Sequence, residues 1–222
     1  MGAFLDVFRV LYEPGAVFGR VAAKPRFWAP FVVVAILAII VGYLTLPFSQ
    51  AAMASKMAEI AQANPAAADN MKKFAGVGIL FAPIVYAIIL VIVATVLWVL
   101  VSVLGGESKW GMLLSVCTYT SITGVLLQLV GVIVLMLKGV DQVTSPADLQ
   151  PPLGLNLLTP GATGFLGAFL AGINPFAIWG LVLNAIGIQV THKTSKGIAY
   201  TAATVAALIV LLIFAGLASL QK

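Results

Sequence analysis

Long apolar stretches without charge occupy most of this chain. Five segments contain no Asp, Glu, Lys, Arg or His, and they lie between Arg26 and Lys56, Lys73 and Glu107, Lys109 and Lys138, Asp148 and His192, and Lys196 and Lys222. A hydrocarbon core about 30 Å thick is crossed by roughly 20 apolar residues of α-helix. Each segment can hold one such helix. The pattern therefore predicts an all-α, polytopic integral membrane protein with a bundle of five transmembrane helices.

Prolines and interfacial aromatic residues set the expected bounds of these spans. We expect Trp28 to open the first span and Pro47 to end it. Pro83 predicts a kink in the second span, and Asn174-Pro175 predicts a break in the fourth, where Asn174 can satisfy a carbonyl that the proline leaves free. Within a transmembrane domain at 27–222, the spans are predicted at residues 28–46, 76–104, 112–137, 165–190 and 198–220.

Residues 1–26 are predicted to form an amphipathic juxtamembrane segment. Apolar residues recur at helical spacing on both sides of a break at Pro14-Gly15: Phe4, Leu5, Phe8 and Leu11 before it, and Val17, Phe18 and Val21 after it. Such helices either lie in the headgroup region with the aromatic face inward or pack against the protein's own helices, and both alternatives stay open. The candidates for membrane-surface contact are Phe4, Phe8, Phe18, Arg20, Lys24 and Arg26.

The composition supports a membrane location. Hydrophobic residues make up 62% of the chain and charged residues 9%, and the mean hydropathy is +1.12, far from the values of soluble domains. The net charge of +5 comes from cations near the span ends, which suits anionic lipid headgroups better than nucleic acid because no dense basic stripe is present. Cys117 is the only cysteine, so we interpret it as a small packing residue.

The placement of Lys and Arg predicts the orientation. One face receives seven cations: Arg9, Arg20, Lys24, Arg26, Lys109, Lys193 and Lys196. The other face receives five: Lys56, Lys72, Lys73, Lys138 and Lys222. Because positive residues favour the cytoplasmic side, we expect the N-terminus in the cytoplasm and the C-terminus outside.

Titratable groups are too sparse to suggest an enzyme. One histidine and seven carboxylates lie outside the predicted spans, and the sequence has no HExxH, P-loop, GxSxG or cysteine cluster. We therefore expect no catalytic residue, no cofactor and no metal. His192 stands beside Lys193 in a predicted link, where a solvated histidine is expected.

Uncharged polar residues cluster in the third and fourth spans. The third span carries a run of polar residues from Ser115 to Thr123, and the fourth carries Asn174 and Asn184. Two interpretations compete: hydrogen bonds that hold the helices together, which we favour, or the lining of a polar cavity between the two spans. The candidate residues for either role are Tyr119, Thr123, Asn174, Trp179 and Asn184.

Three stretches together resemble the YIP (Ypt-interacting protein) membrane family in its short bacterial form. They are YEPGAVFGRVAAKPRFWAP at 12–30, GGESKWGMLLSVCTYTSITGVL at 105–126, and INPFAIWGLVLNAIG at 173–187. The resemblance implies a five-span fold and, for bacterial members, a location in the cytoplasmic (inner) membrane. In eukaryotic relatives it implies a link to vesicle traffic through Rab-type GTPases. Only 26 residues precede the first predicted span here, so GTPase binding is not carried over.

Two functions follow from these patterns. The leading hypothesis is a non-enzymatic membrane protein that acts in membrane organisation or in interaction with lipids and membrane proteins. Its expected partners are membrane lipids and either further copies of itself or other membrane proteins. The alternative is a transporter or channel for a small solute or lipid, which would use a polar cavity between the third and fourth spans.

Overall fold

A computed structural model describes residues 2–159 and 161–220, except the side chains of Lys72 and Ala75. The Lys72 side chain and Lys222, which the orientation prediction counts, lie outside this description. Within it the chain has no strand and forms eleven α-helices: α1 Gly2–Arg9, α2 Pro14–Ala23, α3 Trp28–Ala52, α4 Ala54–Ala63, α5 Pro65–Leu80, α6 Ala82–Val103, α7 Trp110–Thr120, α8 Ile122–Lys138, α9 Gly164–Gly172, α10 Pro175–His192 and α11 Lys196–Ser219. The predicted all-α class is confirmed.

Five helical segments in the described chain are long and apolar enough to cross a membrane. They are Trp28–Ala52, Ala82–Val103, Trp110–Lys138, Pro175–His192 and Lys196–Ser219. The third comprises α7 and α8, which join at Ser121. The prediction of five spans is confirmed, although several of the expected bounds differ.

Prolines act differently in the first two spans. Pro47 lies inside α3, which continues to Ala52, so the expectation that Pro47 ends the helix was wrong. A proline removes one hydrogen bond but need not stop a helix whose remaining backbone groups are satisfied. Pro83 is the second residue of α6, where an N–H group is not required. The helix is interrupted at Phe81, close to the predicted kink.

The chain divides into two compact units. The described residues within 2–34, 87–124 and 153–220 form the first, and those within 35–86 and 125–152 form the second. In the first unit α10 is the central helix, since it packs against α2, α7 and α11, while α9 packs against α11. Small side chains permit these approaches, and five alanines of α11 are buried: Ala199, Ala202, Ala203, Ala206 and Ala215.

The second unit has its own apolar core and a large apolar cavity. Phe48 and Ala52 of α3 pack with Leu135 and Val143. The cavity, about 820 Å³ in volume, has mainly apolar walls that include Leu46, Met53, Met57, Met71 and Ile79, with Gln50 and Gln128 among its polar lining residues.

A charged contact fixes the turn that follows α8. The Lys138 ammonium lies 2.6 Å from Asp148 Oδ1, and Asp148 Oδ2 accepts hydrogen bonds from the backbone N–H groups of Thr144 and Ser145. The bond from Lys138, followed by those from Thr144 and Ser145, holds the pKa of Asp148 well below its usual range. The ionised carboxylate therefore stabilises the folded turn.

We expect acid to loosen this turn. A lowered folded-state pKa means that the stabilisation is fully present above the unfolded pKa of about 3.9 and is lost as the pH falls through the folded value. A spin label at Gln142 should gain mobility on acidification below about pH 4. The Asp148→Asn variant should show that mobility already at neutral pH. Asp141→Asn is the matched control, and equal mobility in the two variants would contradict the assignment.

Candidate functional site

Helix α2 is docked against the transmembrane helices of its unit. Val17, Phe18 and Val21 are buried, and α2 packs against α7 and α10. The contact to α10 is made at Gly187, where an added Cβ would lie 3.2 Å from the Phe18 ring. The expectation that Phe18 contacts the membrane surface was therefore wrong. Sequence periodicity identified the apolar face of α2 but not what covers it.

Helix α1 exposes the aromatic face that the sequence singled out. Phe4 and Phe8 are 47% and 45% exposed, and Leu5 between them is 54% exposed. The opposite stripe is buried and consists of Ala3, Asp6, Val7 and Val10. The two helices thus have different roles, because α2 anchors the segment to the protein while α1 presents large apolar side chains outward.

A carboxylate lies on the buried stripe of α1. Asp6 is 5% exposed and accepts two hydrogen bonds from Arg20, at 3.0 Å from Nε and 2.6 Å from Nη2. Arg9 Nη1 lies 3.9 Å from the same carboxylate. Burial of a charge requires such a partner, so this bidentate pair joins α1 to α2. Arg20, a candidate for membrane contact, is thereby paired with Asp6.

A basic cavity of about 380 Å³ adjoins this pair. It is lined by Gly2 and Ala3 of α1, by the Asp6–Arg20 pair and by further side chains from three segments: Arg9, Val21, Ala23, Lys24, Arg26 and Tyr119. Lys24 and Arg26 are exposed. Sequence reasoning named most of the cations but missed the cavity. The available signal was Asp6, a charged residue three positions after Ala3 and four positions before Val10, on the same helical stripe as both.

The polar residues of the third and fourth spans bond mainly within their own helices. The Thr123 hydroxyl donates to the Thr120 carbonyl at 3.0 Å, and Asn184 Nδ2 donates to the Gly180 carbonyl at 3.0 Å. In the described chain one side-chain hydrogen bond joins α7 to α10, from the Thr120 hydroxyl to Asn184 Oδ1 at 3.1 Å. These contacts favour helix packing, the interpretation preferred from sequence.

Tyr119, Trp179 and Asn174, the other candidates for a polar cavity or helix packing, do not take part in the hydrogen bond between Thr120 and Asn184. Tyr119 lines the basic cavity and Trp179 is 37% exposed on α10. Asn174 begins α10, where its Oδ1 accepts from Ala177 N at 3.0 Å. Its Nδ2 lies 3.3 Å from the carbonyls of both Ala171 and Gly172. Asn174 therefore satisfies carbonyls freed at the break, as predicted, and the break divides the fourth apolar stretch into α9 and α10.

The expected solvated histidine is buried. His192 is 8% exposed, and its Nε2 accepts a hydrogen bond from Lys109 N at 3.1 Å. Its Nδ1 lies 2.7 Å from the Thr191 hydroxyl, which is 2.6 Å from the Gly187 carbonyl. The prediction failed because the partner is a backbone group 83 residues away in sequence. His192 ties the link before α7 to the end of α10.

The described side chains bring together no group of three or more His, Cys, Asp or Glu that could hold a metal ion. The site that the structure assembles is instead the exposed aromatic face of α1 together with the basic cavity beside it. Apolar side chains next to cations have the chemistry of a membrane–water interface.

Comparison with known proteins identifies a family whose model matches this chain and a similar protein. A family model described as the Yip1 domain matches residues 8–218. The membrane protein YknW of Bacillus subtilis (strain 168) is 27% identical over 227 residues, which cover 96% of this chain and 90% of that protein. No solved structure matches.

Proposed function

This chain belongs to the Yip1 domain family of membrane proteins, and we propose that it acts without catalysis, by binding lipid at the membrane surface through its N-terminal helices and thereby organising the surrounding membrane. The observation that carries this proposal is the exposure of Phe4, Leu5 and Phe8 on a helix fixed to the transmembrane helices of its unit. Exposed apolar surface of this kind gains free energy when it enters the headgroup boundary.

The proposal includes location and partners. The protein would lie in the bacterial cytoplasmic membrane, with the N-terminus in the cytoplasm and the C-terminus outside. Arg9, Arg20, Lys24 and Arg26 would then face the negatively charged cytoplasmic leaflet. Its primary partners would be membrane lipids. Association with a second copy or with other membrane proteins would use the remaining exposed apolar surface.

A depth measurement tests this function. We expect spin labels at Phe4→Cys and Phe8→Cys, in a Cys117→Ala background reconstituted in bilayers, to be more accessible to oxygen than to a water-soluble nickel complex. Glu13→Cys provides the matched position facing water, since Glu13 is exposed on the same segment. The relevant measurement is power-saturation electron paramagnetic resonance.

The same proposal predicts that polar side chains at positions 4 and 8 weaken lipid binding. Phe4→Ser/Phe8→Ser should reduce the lipid retained by the purified protein without changing its helical content, because both side chains are exposed. Point variants are preferable to deletion of the segment, since removal of α2 would uncover the faces of α7 and α10. Water-accessible labels at both positions, together with unchanged lipid retention, would overturn the proposed function.

A further inference from the structure

The basic cavity carries more positive charge than its own carboxylate can balance. Four cations, Arg9, Arg20, Lys24 and Arg26, line it with a single carboxylate, Asp6, which leaves a net charge of +3. Like charges collected around a concave surface repel one another unless an anion binds between them. The cavity therefore has the electrostatic character of an anion site.

The Asp6–Arg20 pair positions one of these cations. Both oxygens of Asp6 are engaged, since Arg20 Nε lies 3.0 Å from Oδ2 and Nη2 lies 2.6 Å from Oδ1. Within the described chain the Nη1 group of Arg20 forms no hydrogen bond. A guanidinium fixed on one side by a carboxylate can present its remaining N–H groups to an anion with little further loss of conformational freedom.

Lys24 and Arg26 form no ion pair within the part of the chain that the structure describes. In the ranges 2–159 and 161–220 the ion pairs involve Asp6 with Arg9 and Arg20, and Lys138 with Asp148. Lys24 and Arg26 follow α2 directly and precede Trp28, the first residue of the first membrane-crossing helix. The cavity therefore adjoins the start of a membrane span.

Uncharged donors complete the lining. Tyr119 is 2% exposed and lines the cavity, and its hydroxyl forms no hydrogen bond among the residues described. Gly2 and Ala3 belong to the first turn of α1, where backbone N–H groups lack partners within the helix. The phenol hydroxyl is accessible from the cavity, next to the first-turn amides of α1, so both can donate to an acceptor that enters it.

We propose that this cavity binds a phosphate group, with the phosphate-bearing headgroup of an anionic lipid as its expected source. Arginine and lysine bind phosphate oxygens through charge-assisted hydrogen bonds, and Arg20 has the planar geometry that phosphate recognition uses. This inference rests on the proposed function, because it names the lipid chemistry that the N-terminal segment would select.

The test compares variants of the full-length protein in nanodiscs. The bilayer is phosphatidylcholine, either alone or with a minor fraction of phosphatidate, and native mass spectrometry counts the lipid retained after release into detergent. We expect wild-type protein to retain phosphatidate selectively. Lys24→Gln/Arg26→Gln should weaken retention about tenfold, and Tyr119→Phe about threefold.

Two variants distinguish binding in the cavity from non-specific attraction of anionic lipid to the positively charged protein. Lys109→Gln/Lys196→Gln removes two exposed cations that do not line the cavity, and it should retain phosphatidate like the wild type. Tyr119→Phe changes no charge, so a loss there cannot come from the overall field. Equal losses in the two double variants, or unchanged retention in Tyr119→Phe, would overturn the proposal. Melting temperatures of all variants establish that each is folded.

A second arm identifies the source of the phosphate. Inorganic phosphate is titrated against the wild-type protein loaded with phosphatidate. Resistance to displacement assigns the site to a lipid headgroup, whereas displacement at matched concentration assigns it to a soluble phosphate. The labels at positions 4 and 8 separate the two proposals. Lipid-exposed labels without phosphatidate selectivity would remove only the phosphate site, and water-exposed labels would remove the proposed function.

Discussion

Replacing Gly187 with leucine is expected to separate α2 from α10 and to lower the free energy of unfolding by about 3 kcal/mol. A Cβ at this position would overlap Cγ1 of Val116 on α7 and would lie 3.2 Å from two ring atoms of Phe18 on α2. Val116 and Phe18 are both fully buried, so neither can move into open space. For a chain of this size the melting temperature in detergent should fall by about 6–12 °C.

Two further variants make this prediction specific. Gly124→Leu places the same side chain where an added Cβ meets nothing within 4 Å, and its melting temperature should stay near the wild-type value. Gly187→Ala should be destabilised by less than Gly187→Leu, and Val116→Ala in that background should recover part of the loss because it removes the overlapping methyl group. Equal melting temperatures for Gly187→Leu and Gly124→Leu would contradict the packing described here.

This close approach at Gly187 illustrates what the sequence could and could not predict. Segments without charge predicted five membrane helices because a charged side chain in hydrocarbon is costly, and this local rule holds along the chain. The apolar stripe of α2 was equally visible. What covers it depends on a glycine 169 positions after Phe18, a long-range contact that helical periodicity does not encode.

Asp6 and His192 show the same limit for the candidate site. Helical spacing placed Phe4 and Phe8 on one face of α1, and the structure exposes that face. His192 was instead expected to be solvated and the burial of Asp6 was not predicted, since Asp and His are mostly exposed or intermediate residues. Each is buried because one distant partner satisfies it: Arg20 for Asp6 and the backbone of Lys109 for His192. The sequence shows which side chains would need a polar partner if buried, but the partner is identified only in the folded structure.

The break before α10 was predictable because its cause is local. Proline lacks an N–H group and disfavours helical geometry in the preceding residue, and asparagine is a preferred N-cap. The structure adds how the freed carbonyls are satisfied. Asn174 Nδ2 donates to the carbonyls of Ala171 and Gly172, and Leu155 N donates to the Ile173 carbonyl at 3.1 Å. The break therefore leaves none of these three carbonyls without a partner.

Replacing Asn174 with leucine is accordingly expected to cost about 3 kcal/mol of unfolding free energy, since it removes the N-cap of α10 and the donor to two carbonyls. Asn174 is 4% exposed, so water cannot replace these bonds. Asn174→Ser should lose about half as much, because serine keeps the acceptor for Ala177 N but is too short to reach the two carbonyls. Melting temperatures in detergent and hydrogen exchange over residues 171–178 measure both effects.

The chain contains its own control for this prediction. Asn64-Pro65 repeats the Asn-Pro motif at the start of α5, where Asn64 accepts from Ala67 N at 3.1 Å. Asn64 is exposed, so Asn64→Leu loses only a cap that water can partly replace and should cost about 1 kcal/mol or less. If the two leucine variants were equally stable, the break before α10 would depend on Pro175 alone. A larger loss at Asn174 would show that a buried break requires an amide that both donates and accepts.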